Sequence, residues 1–198
     1  MSSAHETLER LKACPEAVGW VGDRSPEAAW QECERGDWLL WVSTKIDVPR
    51  PLVVLAACGC ARLALRYVSE GEDRPRVAIE MAEAWARGGP DAPSLDAVRD
   101  GASAAANAAA YAAASSSASA SASAYAASAS ASASADDAAD ADAYASYASY
   151  AAAAAAAYAR PRGAAQRETL KTCADIVRRN IPFAAITEAL FANQKRES

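Results

Sequence analysis

Apolar residues recur at helical spacing through the first 90 positions of this chain and again after residue 163; between them the pattern almost vanishes. Leu8 and Leu11 share one face of a segment from Ala4 to Ala13. Cys14-Pro15 ends or bends it, because a residue before proline is pushed out of the helical region. Ser25-Pro26-Glu27 spells an N-cap, a first-turn proline and an acid at the positive helix end. The helix behind it carries Trp30 and Cys33 and is expected to stop near Gly36. Asp37 is the expected cap of the next helix, Trp38 to Lys45, which is apolar almost all round and so reads as buried. Pro49 and Pro51 open a third helix to about Tyr67, and Ser69 to Asp73 form a polar loop. Pro75 starts a helix to Arg87 with Ile79, Ala82 and Trp85 on one face, and Gly88-Gly89-Pro90 stops it. In the tail, Leu170, Cys173, Ile176 and Val177 mark one helix; Pro182 starts a final short one, with Asn193 to Ser198 expected to fray.

The middle of the chain is compositionally unlike the rest. No Leu, Ile, Val, Met, Phe or Trp occurs between Val98 and Leu170, and alanine fills 34 of the 58 positions from Ala102 to Ala159. Alanine has the best intrinsic helix propensity and loses no side-chain entropy on ordering. The alternating Ala and Ser of residues 119–134 also fits a silk-like strand, but flat two-sided strands leave aggregation-prone edges and no Val or Ile is present. Ser94 caps the first alanine helix; Ser115-Ser116-Ser117 and the step from Ser134 to Asp136 break the tract into three helices of roughly five turns each. The expected fold is therefore all-α: a multi-helix bundle with a Trp-rich N-terminal half and tightly packed Ala/Ser-rich helices. It reads as one domain over 1–198, divided into 1–90, the Ala/Ser-rich 94–160 and the C-terminal helices 163–192. Small side chains let helix axes approach to roughly 8 Å, the low end of the usual range.

The net charge of −5 argues against a nucleic-acid binder, which needs a basic patch or stripe. The longest strongly apolar stretch, Leu52 to Leu65, is interrupted by Arg62 and has the length of a buried helix rather than a membrane span. His5, Glu6 and Glu9 stand where a secretory leader needs an apolar run, so a cytoplasmic location is expected. Five cysteines at irregular spacing suit buried free thiols, and neither Cys58-Gly-Cys60 nor the single His5 suggests a metal site.

Chemistry-bearing motifs are scarce. Asp136, Asp137 and Asp140 have the DDxxD spacing of magnesium-dependent isoprenoid synthases, but no second metal-binding motif accompanies them. First-turn acids opposing a helix dipole explain the cluster without extra assumptions. No nucleophile elbow, phosphate loop or dinucleotide fingerprint is present. No catalytic residue and no cofactor is therefore expected. Trp20, Trp30, Trp38, Trp41 and Trp85 read as core, with an exposed recognition surface as the alternative. Arg62, on an otherwise apolar helix, needs a carboxylate partner, for which Asp37 and Glu80 are candidates. Glu70, Glu72 and Asp73, with Asp136, Asp137 and Asp140, are candidates for contacting a basic partner.

Ala13-Cys14-Pro15-Glu16, Ala29-Trp30 with Cys33, and Gly36-Asp37-Trp38-Leu39-Leu40-Trp41 resemble a family of immunity proteins from bacterial polymorphic toxin systems. Ala57-Cys58, Ala61-Arg62, Arg74-Pro75 and Ile79 to Trp85 continue the resemblance. Similar proteins occur in bacteriophage genomes. The signature positions are Trp30, Asp37, Trp38, Trp41, Arg62, Arg74 and Trp85. The resemblance implies a non-enzymatic, all-helical protein that binds a cognate toxin or defence protein, with no nucleic-acid or membrane partner. The alternative is a self-associating structural protein whose small-residue faces build a homo-oligomer.

Overall fold

The computed structural model describes residues 3–63, 65–67, 70–94, 97–98 and 164–197. Regular structure among them is wholly helical. The order is α1 (Ala4–Arg10), α2 (Pro15–Val21), α3 (Pro26–Glu32), α4 (Gly36–Lys45), α5 (Arg50–Arg62), a 3-10 turn (Leu65–Tyr67), α6 (Arg74–Arg87), α7 (Ala164–Asn180) and α8 (Phe183–Glu197). None of the described helices is long and apolar enough to cross a membrane. The expected Ala/Ser-rich helices of 94–160, and Asp136, Asp137 and Asp140 with them, lie outside the described residues, apart from the N-terminal cap. There the Ser94 hydroxyl accepts from the Ala97 amide at 3.2 Å, as expected of a cap.

The first three helices are short because each is punctuated at both ends. Ser3 and Glu6 form a capping box on α1, with Ser3 Oγ accepting from Glu6 N at 3.1 Å and Glu6 Oε2 from Ser3 N at 2.9 Å. Ser25 caps α3 by accepting from Ala28 N at 3.1 Å, as the Ser-Pro-Glu signal predicts. Cys14-Pro15-Glu16, expected only to end or bend α1, also opens α2: it shares the first-turn proline and acid of α3, although Cys14 makes no side-chain cap bond.

The core is built around α5. Val54, Cys58 and Ala61 form one stripe and pack with Ala78, Ile79 and Ala82 of α6. Val53, Ala56, Ala57 and Cys60 form a second stripe and pack with α4 and with Cys173, Ala174 and Val177 of α7. Two stripes on one helix account for its apolar run. Contact is close because the residues are small: a Cβ on Gly59 would sit 2.6 Å from Ile176 Cγ2. α4 meets α7 in the same way. A Cβ on Gly36 would lie 2.5 Å from Cys173 Cβ and 2.7 Å from the Ala174 amide nitrogen.

That contact corrects the expected start of α4. The helix begins at Gly36, with Arg35 in the cap position, and Asp37 is not the cap. Asp37 lies in the first turn and takes two bonds from the Arg35 guanidinium, at 2.6 and 2.9 Å. Arg62 is likewise matched by neither Asp37 nor Glu80. Its partner is Glu83 of α6, through paired bonds of 2.7 and 2.9 Å, and Arg87 adds a third at 3.0 Å. Glu80 is one turn earlier in α6 and pairs with Arg76 at 3.0 Å. The tail also differs from expectation. α8 runs to Glu197, and Asn193 is tied down, its side-chain amide donating to the Ile46 carbonyl at 2.8 Å.

Two expected outcomes follow from this packing. Gly36→Ala should cost about 3 kcal/mol, because its obstacle includes α7 backbone that cannot swing aside. Gly19→Ala, on α2 with nothing within 4 Å of its Cβ, should stabilise by about 0.5–1 kcal/mol; urea denaturation reads both signs. Arg62 holds the Glu83 carboxyl below the usual carboxylate range, and Arg87 reinforces it. A depressed folded-state pKa contributes stability that is present above the unfolded value and lost as pH falls through the folded one. Glu83→Gln should therefore cost about 1–2 kcal/mol at pH 7, a moderate figure because water reaches the guanidinium, and the difference from the parent chain should vanish in acid.

Candidate functional site

Helices of seven residues cannot cover a core of this size, and α1, α2 and α3 leave a cleft of about 600 Å³ between themselves, α4 and α8. Its surface is predominantly apolar. Trp30, Leu39 and Ile46 are among its buried members; Trp20, Trp38 and Trp41 are half-buried and line it with indole. Ile186 and Leu190 of α8 contribute aliphatic surface, and Lys12 and Cys14 are exposed residues of its lining.

The indoles are held by a ladder of stacked charges. The Arg24 guanidinium lies 4.6 Å from the ring centre of Trp20. Trp20 meets Trp38 edge to face, with centres 6.1 Å apart and planes at 60°. The Arg35 guanidinium lies 4.4 Å over Trp38. Each arginine is fixed in turn: Arg24 by Glu32 at 3.0 Å and by the Trp20 carbonyl at 2.5 Å, Arg35 by Asp37 and, at 3.3 Å, by Glu16. Asp37 is the main reason the Arg35 charge is held so firmly. A cation over an indole contributes about 0.5–2 kcal/mol and an edge-to-face pair about 0.5–1.5 kcal/mol, so the ladder sets the pose of two rings at modest cost in freedom. A second, more polar cavity adjoins the first, sharing Trp20, Cys33, Asp37 and Trp38 and adding Glu16, Glu32 and Glu34.

The short helices are anchored from below. Arg178 of α7 donates to the Trp30 and Cys33 carbonyls at 3.1 and 2.8 Å, satisfying the free end of α3. Cys33 is buried and donates weakly to the Arg35 carbonyl at 3.6 Å. Burial pushes its thiol up to about 11, so it is not a nucleophile at neutral pH. Among the described cysteines, Cys33, Cys58, Cys60 and Cys173 are buried free thiols and Cys14 is exposed.

The remaining sequence candidates lie elsewhere. Trp85 is on α6, in the cluster with Val98. Arg74 binds Glu72 through its Nε at 2.7 Å and holds that carboxyl below its usual range, while Asp73 binds Arg76 at 2.9 Å. Glu70 is exposed in the adjoining turn. The acids of the 70–73 loop are thus largely answered by their own neighbours. Of the signature positions, the cleft unites Trp30, Asp37, Trp38 and Trp41. Leu8, Lys12, Val42, Ile186 and Leu190 join them without having been singled out as site residues. The missed signal was the row of three short helices, two of them proline-initiated, too short to close over an apolar face.

Lys12 occupies an unusual backbone position. It is the residue after the cap of α1, with a left-handed φ of 57°. Its amide donates to the Glu9 carbonyl at 2.9 Å and the Ala13 amide to Leu8 at 3.0 Å, the paired bonds of a Schellman ending, where glycine is free of strain. Lys12→Gly should raise stability by about 1 kcal/mol, measured by thermal or urea melting.

Comparison of the chain with protein-family models, with curated proteins and with solved structures finds no match.

Proposed function

We propose that this chain is a non-enzymatic binding protein that neutralises a toxin or defence protein in the cytoplasm, and that the indole-lined cleft is the face with which it does so. The observation that carries this reading is the arrangement of Trp20, Trp38 and Trp41, half-buried around an open apolar cleft. Tryptophan and arginine dominate the energetics of protein recognition when they sit in well-packed, largely desolvated settings. Rings already fixed by stacked arginines lose little further freedom when a partner arrives, so more of the contact energy appears as affinity. The resemblance to immunity proteins supports the same reading, since its most specific run, Gly36 to Trp41, supplies Asp37, Trp38 and Trp41 to the cleft.

The test is co-expression of the tagged chain with the product of the adjacent gene. A stoichiometric complex and rescue of growth are expected, and Trp41→Ala should weaken the complex at least about tenfold, or about 1.4 kcal/mol. Absence of both a complex and protection would overturn the proposal. Concentration-dependent self-assembly in sedimentation, with no partner captured, would instead favour the structural alternative.

A further inference from the structure

We infer that the cleft receives a basic amphipathic segment of the partner protein: large apolar side chains to fill it, flanked by Lys or Arg. This rests on the binding role proposed above and adds the chemistry of what is bound. The apolar half of the argument is the cleft itself, whose indole and aliphatic surface can be covered only by apolar groups. The charge half comes from the elements around it. Residues 3–47, which supply α1 to α4, expose eight carboxylates and only three cationic side chains, Arg10, Lys12 and Arg24. Arg24 is already engaged by Glu32 and Trp20, and half-buried Arg35 by Asp37, Glu16 and Trp38. Glu16 and Glu32, the partners of Arg35 and Arg24, still face solvent at 72% and 58% exposed, and Glu34, paired with Lys171 of α7 at 2.6 Å, is 65% exposed. Each ion-paired carboxylate keeps lone pairs for a further cation. The surround of the cleft therefore attracts cations and repels anions, which steers encounter and selects the sign of the partner.

Lys12 makes the inference sharp. It is the exposed cation of the cleft lining, and it opposes a cationic occupant while favouring an anionic one. Lys12→Glu keeps a side chain of similar reach on the same left-handed backbone and reverses that preference.

The experiment follows indole fluorescence of the full chain during titration with three probes: a Leu/Lys amphipathic helical peptide, its Leu/Glu counterpart, and sodium decanoate as a small anionic amphiphile. At low salt the Leu/Lys peptide should bind about tenfold or more tightly than the Leu/Glu peptide, and the ratio should shrink in high salt. Lys12→Glu should tighten the Leu/Lys peptide about two- to fivefold. Val42→Asp and Leu190→Gln, separately placed in the cleft, should each abolish the fluorescence change while circular dichroism shows the helices intact. Equal binding of both peptides, preference for the Leu/Glu peptide, binding of decanoate alone, or no binding at all would overturn the inference. A partner complex that needs Trp41 yet ignores both salt and Lys12→Glu would sink the basic segment and leave the neutralising role standing.

Discussion

The architecture depends on a contact that tolerates almost no side chain. α4 starts against α7 at Gly36, where even a methyl group would run into Cys173 and the backbone of Ala174. α5 lies between α6 and α7 with Ala56, Ala57, Cys58, Gly59, Cys60 and Ala61 as its contact surface. Each of these residues buries little area, so the stabilisation comes from many close contacts at once rather than from a few large ones. Cys58 and Cys60 act in this setting as small hydrophobes. Each thiol is held near a carbonyl, Cys60 close to that of Cys173 at 3.8 Å.

A centre that closes this tightly has no room for indole. Only Trp30 of the five tryptophans is buried; the others stand at the margins, and three of them edge the cleft. The short, proline-started α2 brings Trp20 within reach of Trp38 on α4, and arginines from neighbouring turns complete the stack. Asp37 belongs to this device rather than to helix capping. It locks Arg35, and Arg35 locks Trp38. The tight core and the open cleft are therefore two results of one distribution of residue sizes.

Much of the helical order was legible because its punctuation is chemical. Ser25-Pro26, Gly88-Gly89-Pro90 and Pro182 mark boundaries by what their backbones allow, and the helices begin and end beside them. Charge partners were not legible. That Arg62 requires a carboxylate follows from solvation, but whether Glu80 or Glu83 supplies it depends on the rotation of α6 about its axis, which only packing decides. The cleft was hidden for a similar reason. Leu8 and Leu190 are unremarkable members of two separate amphipathic patterns and Val42 of a helix apolar almost all round, and their meeting is set by how short helices lean on long ones. The cap assigned to Asp37 failed because local propensity ranked below the need for a bare backbone at Gly36.

The pairing of α5 with α7 has a kinetic side. Cys60 meets Cys173 across 113 positions of sequence, so the central seam can close only after a large loss of chain entropy. Bundles whose neighbours are adjacent in sequence reach their native contacts quickly; this one must first bring together segments from opposite ends of the chain. Because that entropic toll grows only logarithmically, halving the intervening length would return about 0.6 kcal/mol. Lineages could therefore vary the number of residues that separate α6 from α7 with little thermodynamic consequence of loop closure while the seam itself stays fixed.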